Sequence, residues 1–97
     1  MTRLESRLAA LAAAGETATY GALARELGMR MAELTAALEA LMEEDAALGR
    51  PFRAVLVHAR GGSLPARGFF DKAAELGYDT SDAAAFVALH RRRLSCG

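Results

Sequence analysis

The sequence has very little cysteine, tryptophan, proline or lysine. Its 97 residues include one Cys, no Trp and two Pro, and Lys72 is a single lysine beside eleven arginines. One cysteine, Cys96, cannot form an internal disulfide, so nothing in the composition indicates an oxidising compartment. The excess of arginine is typical first of a GC-rich coding sequence and only second of phosphate recognition.

Long apolar runs are also missing. The longest apolar stretches are far shorter than the roughly 20 residues that a membrane-spanning helix needs. The segment from Met1 to Glu5 carries an acidic residue early and lacks the apolar core of a signal peptide. We therefore expect a cytoplasmic protein with no membrane partner.

The length and composition predict a single globular domain over residues 1–97, with 53% hydrophobic and 25% charged residues. The net charge is zero, but it is divided unevenly. Residues 1–49 carry four arginines against eight acids, and residues 50–97 carry seven arginines and one lysine against four acids. The first half is thus −4 and the second +4, which favours an anionic partner for the second half and a basic partner, or a second copy, for the first.

Helix signals dominate the first half of the chain. Thr2 and Glu5 form a capping-box pattern, which predicts a first helix over 3–14 that ends at Gly15. Thr19 is a typical cap for a second helix over 20–27 that ends at Gly28. Leucines at helical spacing predict a third helix over 31–48. Residues 16–19 fit a cap or a very short strand.

The second half predicts a hairpin followed by helices. Residues 52–60 have the strongest strand pattern in the chain, Gly61-Gly62-Ser63 is a turn, and residues 64–69 can return as an edge strand. Short helical patterns follow over 70–76 and 82–94. The order predicts an α+β, mainly helical fold: a winged helix-turn-helix (core about 3–48, hairpin about 52–69) with one or two extra C-terminal helices over about 70–94.

The core expected from these patterns consists mainly of leucines, with two valines and three aromatic residues. Its members are Leu8, Leu11, Tyr20, Leu23, Leu27, Leu34, Leu38, Leu41, Val55, Val57, Phe70 and Phe86.

Residues 17–77 resemble a set of short bacterial proteins of unassigned function. The shared pattern is seen here at residues 19–24 (Thr-Tyr-Gly-Ala-Leu-Ala), at 43–45 (Glu-Glu-Asp), at 49–51 (Gly-Arg-Pro) and at 65–70 (Pro-Ala-Arg-Gly-Phe-Phe). The resemblance covers most of the chain and implies a winged-helix-like fold without a function.

A weaker similarity links the chain to the DNA-binding domain of the O6-alkylguanine alkyltransferases and their alkyltransferase-like relatives. Those domains also open a helix with Thr-Tyr-Gly, and they carry Pro-Cys-His-Arg-Val before the wing. Here the matching residues 51–55 read Pro-Phe-Arg-Ala-Val, so the nucleophilic cysteine, the histidine and the arginine of that motif are replaced. The resemblance therefore implies the fold and not alkyl transfer or base flipping.

Arginines near the predicted hairpin are the candidate site. Arg50, Arg53, Arg60 and Arg67 flank the glycine turn and could hold phosphates through charge alone. The third helix, by contrast, has few residues that read base edges and several carboxylates that repel phosphates. We expect a non-enzymatic, nucleic-acid-binding accessory or regulatory protein that binds DNA weakly and non-specifically. The alternative is a protein-interaction or self-association module that uses the third helix or the alanine face of the first helix.

Residue patterns for chemistry are missing. His58 and His90 are isolated, and no Cys, His, Asp or Glu set has the spacing of a metal site. Neither a nucleophile with a neighbouring base nor a glycine-rich phosphate loop is visible. We expect no catalytic residue, no cofactor, no metal and no small-molecule substrate.

Overall fold

The computed structural model describes residues 2–96 and places most of them in helices. The α-helices are α1 (Arg3–Ala14), α2 (Tyr20–Leu27), α3 (Met31–Ala47), α4 (Arg67–Glu75) and α5 (Ala83–Cys96). A 3₁₀ turn covers Arg53–Leu56, and two short strands are β1 (Ala18–Thr19) and β2 (Val57–His58). The expectation of a mainly helical α+β fold is confirmed.

The helix boundaries in the first half agree with the capping signals. Thr2 Oγ1 accepts the Glu5 backbone N–H at 3.1 Å, and the Thr2 N–H donates to the Glu5 carboxylate at 3.1 Å, so the capping box is present. Thr19 Oγ1 accepts the N–H of Ala22 and caps α2. Gly28 has φ +67°, the left-handed conformation that lets the chain turn between α2 and α3.

The predicted hairpin over 52–69 is wrong. Phe52 and residues 54–57 are all buried, so this segment lacks the alternation of a two-faced strand, and residues 53–56 wind into a 3₁₀ turn instead. A short continuous apolar run cannot be assigned to strand or helix by periodicity alone. The predicted return strand is replaced by the start of α4, which begins at Arg67, three residues earlier than expected.

The strand that does form pairs with a different partner. β2 runs parallel to β1, with Ala18 opposite Val57 and Thr19 opposite His58. The Gly61 turn is present, and the Ala59 N–H donates to the Leu64 carbonyl at 3.0 Å to close the loop. Because α2 starts directly after β1, this pairing fixes the first turn of α2 beside the segment that leads into α4.

The core lies where α1, α3 and α5 surround the 3₁₀ turn. Eight of the expected core residues are buried, and four are half-buried (Tyr20, Leu27, Phe70 and Phe86). The core also contains Leu4, Met42, Phe52, Phe69 and Val87, which were not among the expected core residues.

Phe52 is the centre of an aromatic cluster that connects the second half of the chain to the core. Its ring lies 5.9 Å from Phe69, 4.7 Å from Tyr78 and 5.2 Å from the stacked ring of His90, measured between centroids. The Phe52 N–H also donates to His90 Nδ1 at 2.8 Å. This cluster packs α4 and α5 around the residue that follows Pro51.

Candidate docking surface

An apolar groove opens between α3 and the start of α4. Its cavity volume is about 210 Å³. The residues that line it are Tyr20, Met31, Thr35, Leu38, Glu39, Met42, Ala54, Ala66, Gly68 and Phe69. Half of them belong to α3, where the spacing of four, three, one and three residues places them on one helical stripe.

The groove is bounded by α3 on one side and by Tyr20 and the start of α4 on the other. Leu38 and Met42 are buried at its floor, whereas Met31 at its end is 50% exposed. Tyr20 fixes the opposite wall, because its hydroxyl oxygen accepts the Ala66 N–H at 2.9 Å, one residue before α4 begins. The sequence motif that begins at Thr19-Tyr20-Gly21 thus holds the start of α4 in place.

Polar groups in the groove are few and have distinct roles. Burial raises the pKa of Tyr20, so its hydroxyl stays protonated at neutral pH and retains its proton for donation. Thr35 Oγ1 already donates to the Met31 carbonyl at 2.9 Å. The groove therefore offers one hydroxyl donor and, at its edge, one carboxylate.

That carboxylate belongs to Glu39, which is half-buried. Among residues 2–96 it forms neither a hydrogen bond nor an ion pair. The nearby ammonium of Lys72 is held 2.6 Å from Glu43 and 3.6 Å from Glu75. The hydrogen bond to Glu43 raises the pKa of Lys72, and the charges of Glu43, Glu75 and Glu39 add to that effect, so Glu39 acts on Lys72 through charge alone. A carboxylate against apolar walls is thus left available for a cation from outside.

The C-terminal end of α3 contains the opposite arrangement. Asp45 is fully buried, and its carboxylate accepts the Arg53 backbone N–H at 3.0 Å and the Arg53 Nε–H at 3.1 Å. Arg50 Nη2 lies 3.2 Å from Asp45 Oδ1. Arg53 Nη2 lies 2.9 Å from the same oxygen as a charge contact rather than a hydrogen bond.

This network separates the four arginines of the predicted nucleic-acid site into a paired set and an exposed set. Burial acts to lower the pKa of Arg53, but its hydrogen bonds and charge contacts with Asp45 and Glu5 outweigh burial and raise it. Arg53 is only 18% exposed, and Arg50 lies 3.1 Å from Glu44. Arg60 and Arg67 are exposed, and the nearest carboxylate to Arg67 is Asp71 at 3.9 Å. The structure therefore brings Arg50 and Arg53 together around Asp45 and leaves Arg60 and Arg67 on the surface.

The exposed face of α3 carries little that binds DNA. Its outward residues between 32 and 44 are alanines, Thr35 and glutamates. Glutamates repel phosphates, and neither alanine nor threonine reads bases in the way that arginine or asparagine does.

His90 lies in the aromatic cluster at the same end of the domain as Asp45. Its Nδ1 accepts the Phe52 N–H, so this nitrogen carries no proton in the folded protein. Burial lowers the pKa of His90, the charge of Arg93 adds to that effect, and Asp45 acts in the opposite direction.

Sequence reasoning did not identify the groove. The signal was present in Met31, Leu38 and Met42, which share one stripe of the third helix, but such a stripe is usually buried by the chain's own packing. The side chain of Glu39 interrupts that stripe. A charged residue at this position was the one sequence signal that the chain does not fully cover the stripe.

Comparison with protein-family models, with curated proteins and with solved structures finds no match for the chain. The resemblance to winged-helix-like bacterial proteins and to alkyltransferase-like domains therefore stays a prediction. Across residues 2–96, none of the helices combines the length and the apolarity needed to cross a lipid bilayer.

Proposed function

We propose that the protein is a non-enzymatic interaction module that docks an apolar side chain of a protein partner in the groove between α3 and α4. The observation that carries this proposal is the apolar groove with the carboxylate of Glu39, without an ion-pair partner among residues 2–96, at its edge. In this proposal the helices α1 to α3 form a helix-turn-helix-like unit in the cytoplasm, and α3 contacts protein rather than DNA.

The size of the groove favours a side chain over a small molecule. Small-molecule sites usually enclose about 300–1,000 Å³, whereas this groove has about 210 Å³. The volume fits one bulky aliphatic or aromatic side chain. Burial of such a side chain contributes about 1.5–3 kcal/mol, so the complex depends on further contacts along α3.

The stripe on α3 supports a helix as the docked element. Met31, Thr35, Leu38 and Met42 extend over three helical turns, which matches the way an amphipathic helix lies in an apolar groove. Glu39 then selects a partner with a Lys or Arg beside its apolar anchor, because the wrong charge at that point is repelled.

A selection from a peptide library tests this function. Peptides are selected on the wild-type protein and then tested on Thr35→Arg, which fills the groove and places a cation four residues before Glu39. Ala40→Arg is the matched control, because it adds the same side chain to an exposed position of α3 outside the groove.

We expect the selected peptides to share an apolar residue next to a basic one. They should bind Ala40→Arg with the affinity that they have for the wild type, and they should not bind Thr35→Arg. With ¹³C-methyl methionine, they should shift the signals of Met31 and Met42 and leave Met29 unchanged. Peptides that still bind Thr35→Arg with wild-type affinity would dock outside the groove, and that result would contradict the proposal.

Weak, non-specific DNA binding is the second candidate function. It is favoured by Arg60, which forms neither a hydrogen bond nor an ion pair among residues 2–96, and by the 94% exposure of the Arg67 side chain. Two such cations give a small electrostatic attraction to phosphates and no base readout.

A further inference from the structure

We infer that the groove binds α5 of a second copy of this chain, with Leu89 as the apolar anchor and Arg92 or Arg93 opposite Glu39. This inference rests on the proposed docking function and names the partner. Three features support it: the exposed face of α5, the charges of the two surfaces, and the repulsion that a groove-to-groove contact would create.

The exposed face of α5 has the chemistry that the groove selects. Leu89 is 43% exposed, which is unusual for a large apolar residue in this domain. Arg92 and Arg93 follow at three and four residues, so they flank Leu89 on the same side of the helix. Ala85 and Ala88 beside it are exposed and small, which lets another helix approach closely.

The opposite face of α5 is fixed to the domain. Val87 and His90 are buried, and the Arg91 guanidinium donates to the carbonyl of Val55 at 2.8 Å and to that of Ser63 at 2.6 Å. These contacts hold α5 in one orientation. Leu89 is therefore presented to solvent on a rigid element rather than on a fraying end, which reduces the entropy lost on docking.

The two surfaces are complementary in charge. Glu39 in the groove and Arg92 and Arg93 at the end of α5 form no ion pair among residues 2–96. The other glutamates on the exposed face of α3 are paired within the domain: Glu33 with Arg30, Glu43 with Lys72 and Glu44 with Arg50. The sequence halves differ in the same sense, −4 for residues 1–49 against +4 for residues 50–97. Opposite potentials of this kind guide two copies into a head-to-tail arrangement.

A symmetric contact of one groove with another is disfavoured. Two copies related by a two-fold axis through the groove would bring their Glu39 carboxylates together in an apolar environment. The contact of α5 with the groove joins two different patches instead. It is isologous if two copies make it reciprocally in a closed dimer, and heterologous if copies continue head to tail as a chain.

An intermolecular paramagnetic experiment tests the contact directly. One protein carries a spin label at Ser95→Cys in a Cys96→Ser background, and the second, unlabelled at cysteine, carries ¹³C-methyl methionine. In the mixture, any broadening of methyl signals comes from contacts between copies. We expect Met31 and Met42 to broaden more strongly than Met29, because Met29 does not line the groove and paramagnetic broadening falls steeply with distance.

Leu89→Asp in the spin-labelled copy should abolish the broadening. Ala84→Asp is its matched control, because Ala84 is exposed on α5 about 140° around the helix from Leu89 and should leave the broadening intact. Circular dichroism of each variant checks that the fold is retained. Broadening that persists in Leu89→Asp, or that appears on Met29 alone, would overturn the inference.

Charge reversal supplies a second test by sedimentation over protein concentrations from about 1 µM to about 1 mM, a range that covers moderate and weak association. Glu39→Arg and the pair Arg92→Glu with Arg93→Glu should each raise the dissociation constant at least about tenfold, and the triple variant should recover it. A monomer at all concentrations overturns the inference. If selected peptides still shift Met31 and Met42 in that monomer, the docking function stands; if they do not, both fail.

Discussion

Two acidic residues on α3, six positions apart, have contrasting surroundings. Asp45 is completely buried and is surrounded by Arg50, Arg53 and a backbone N–H, whereas Glu39 is half-buried and has no ion-pair partner among residues 2–96. The first acid joins α3 to the segment that enters the 3₁₀ turn. The second contributes nothing comparable to the fold. The difference shows that the chain itself closes α3 at one end and leaves an apolar groove along it, where we propose that another molecule docks.

The largest expected effect is at the closed end. Asp45→Asn removes the fully buried carboxylate and leaves the half-buried guanidinium of Arg53 with Glu5 and Glu44 alone. Loss of one partner from a buried pair costs about 3–5 kcal/mol. The free energy of unfolding, measured in urea, should fall by that amount. Glu44→Gln on the exposed side of the same network is the control and should cost less than about 1 kcal/mol. Equal losses of unfolding free energy in both variants would show that the burial of Asp45 does not determine its contribution to stability.

The next largest loss of stability is expected at the floor of the groove. Leu38 is buried beneath the open stripe, and Leu38→Ala should lower the free energy of unfolding by about 2–5 kcal/mol, through lost burial and a cavity. Thermal melts of the two proteins measure it. An unchanged melting temperature would mean that the stripe of α3 faces solvent altogether, and the groove would then have no floor.

The stability of the protein should depend on pH through His90, which lies at the closed end of the domain. The pKa of His90 is lowered in the folded protein, mainly by burial, so below pH about 6.5 the unfolded chain binds the proton more readily. Stability is therefore complete above that pH and falls as the pH drops toward the lower folded pKa, by at most about 1.4 kcal/mol per pH unit.

His90→Asn isolates this effect, because an amide can accept the Phe52 N–H without titrating. Urea unfolding at several pH values should give a shallower slope between pH about 5 and 6.5 for the variant than for the wild type. Parallel slopes would show that His90 is not responsible.

The sequence predicted the first half of the fold well because local signals decide it. Thr2 with Glu5, Thr19 and Gly28 are capping and turn residues that act within a few positions, and all three helix boundaries follow them. The strand prediction for the segment from Phe52 to Val57 was wrong for the opposite reason. Its conformation depends on packing from α1, α3 and α5 on every side, and a run of buried apolar residues carries no period that distinguishes strand from 3₁₀ turn.

The candidate site was predictable only in part. The exposure of Arg60 and Arg67 follows from their place beside the glycine turn. The burial of Arg53 depends on its contacts with the buried Asp45 of α3, and an acidic helical residue carries no local sign of burial. The groove depends on the distance between α3 and α4, which are separated by the 19 residues from 48 to 66. Such a tertiary gap has no local signature.

The smallest expected effect concerns DNA. Duplex binding at about 50 mM salt should be weak, independent of sequence and largely lost at about 200 mM. Arg60→Ala with Arg67→Ala should lower the affinity alike for all sequences, as measured by fluorescence anisotropy. Tight binding to one sequence that survives the higher salt would contradict the assignment of α3 to protein contacts.

The free energy of unfolding of Glu39→Gln tests the central claim, that this carboxylate serves docking and not folding. Its removal leaves no buried cation unpaired, and the relief of repulsion from Glu43 four residues later offsets the lost charge attraction to Lys72. We expect urea unfolding to give a value within about 0.5 kcal/mol of the wild type, or slightly above it, with Asp45→Asn measured alongside. A loss of more than about 1 kcal/mol, the scale of a net hydrogen bond, would place Glu39 in the folding network and contradict the account.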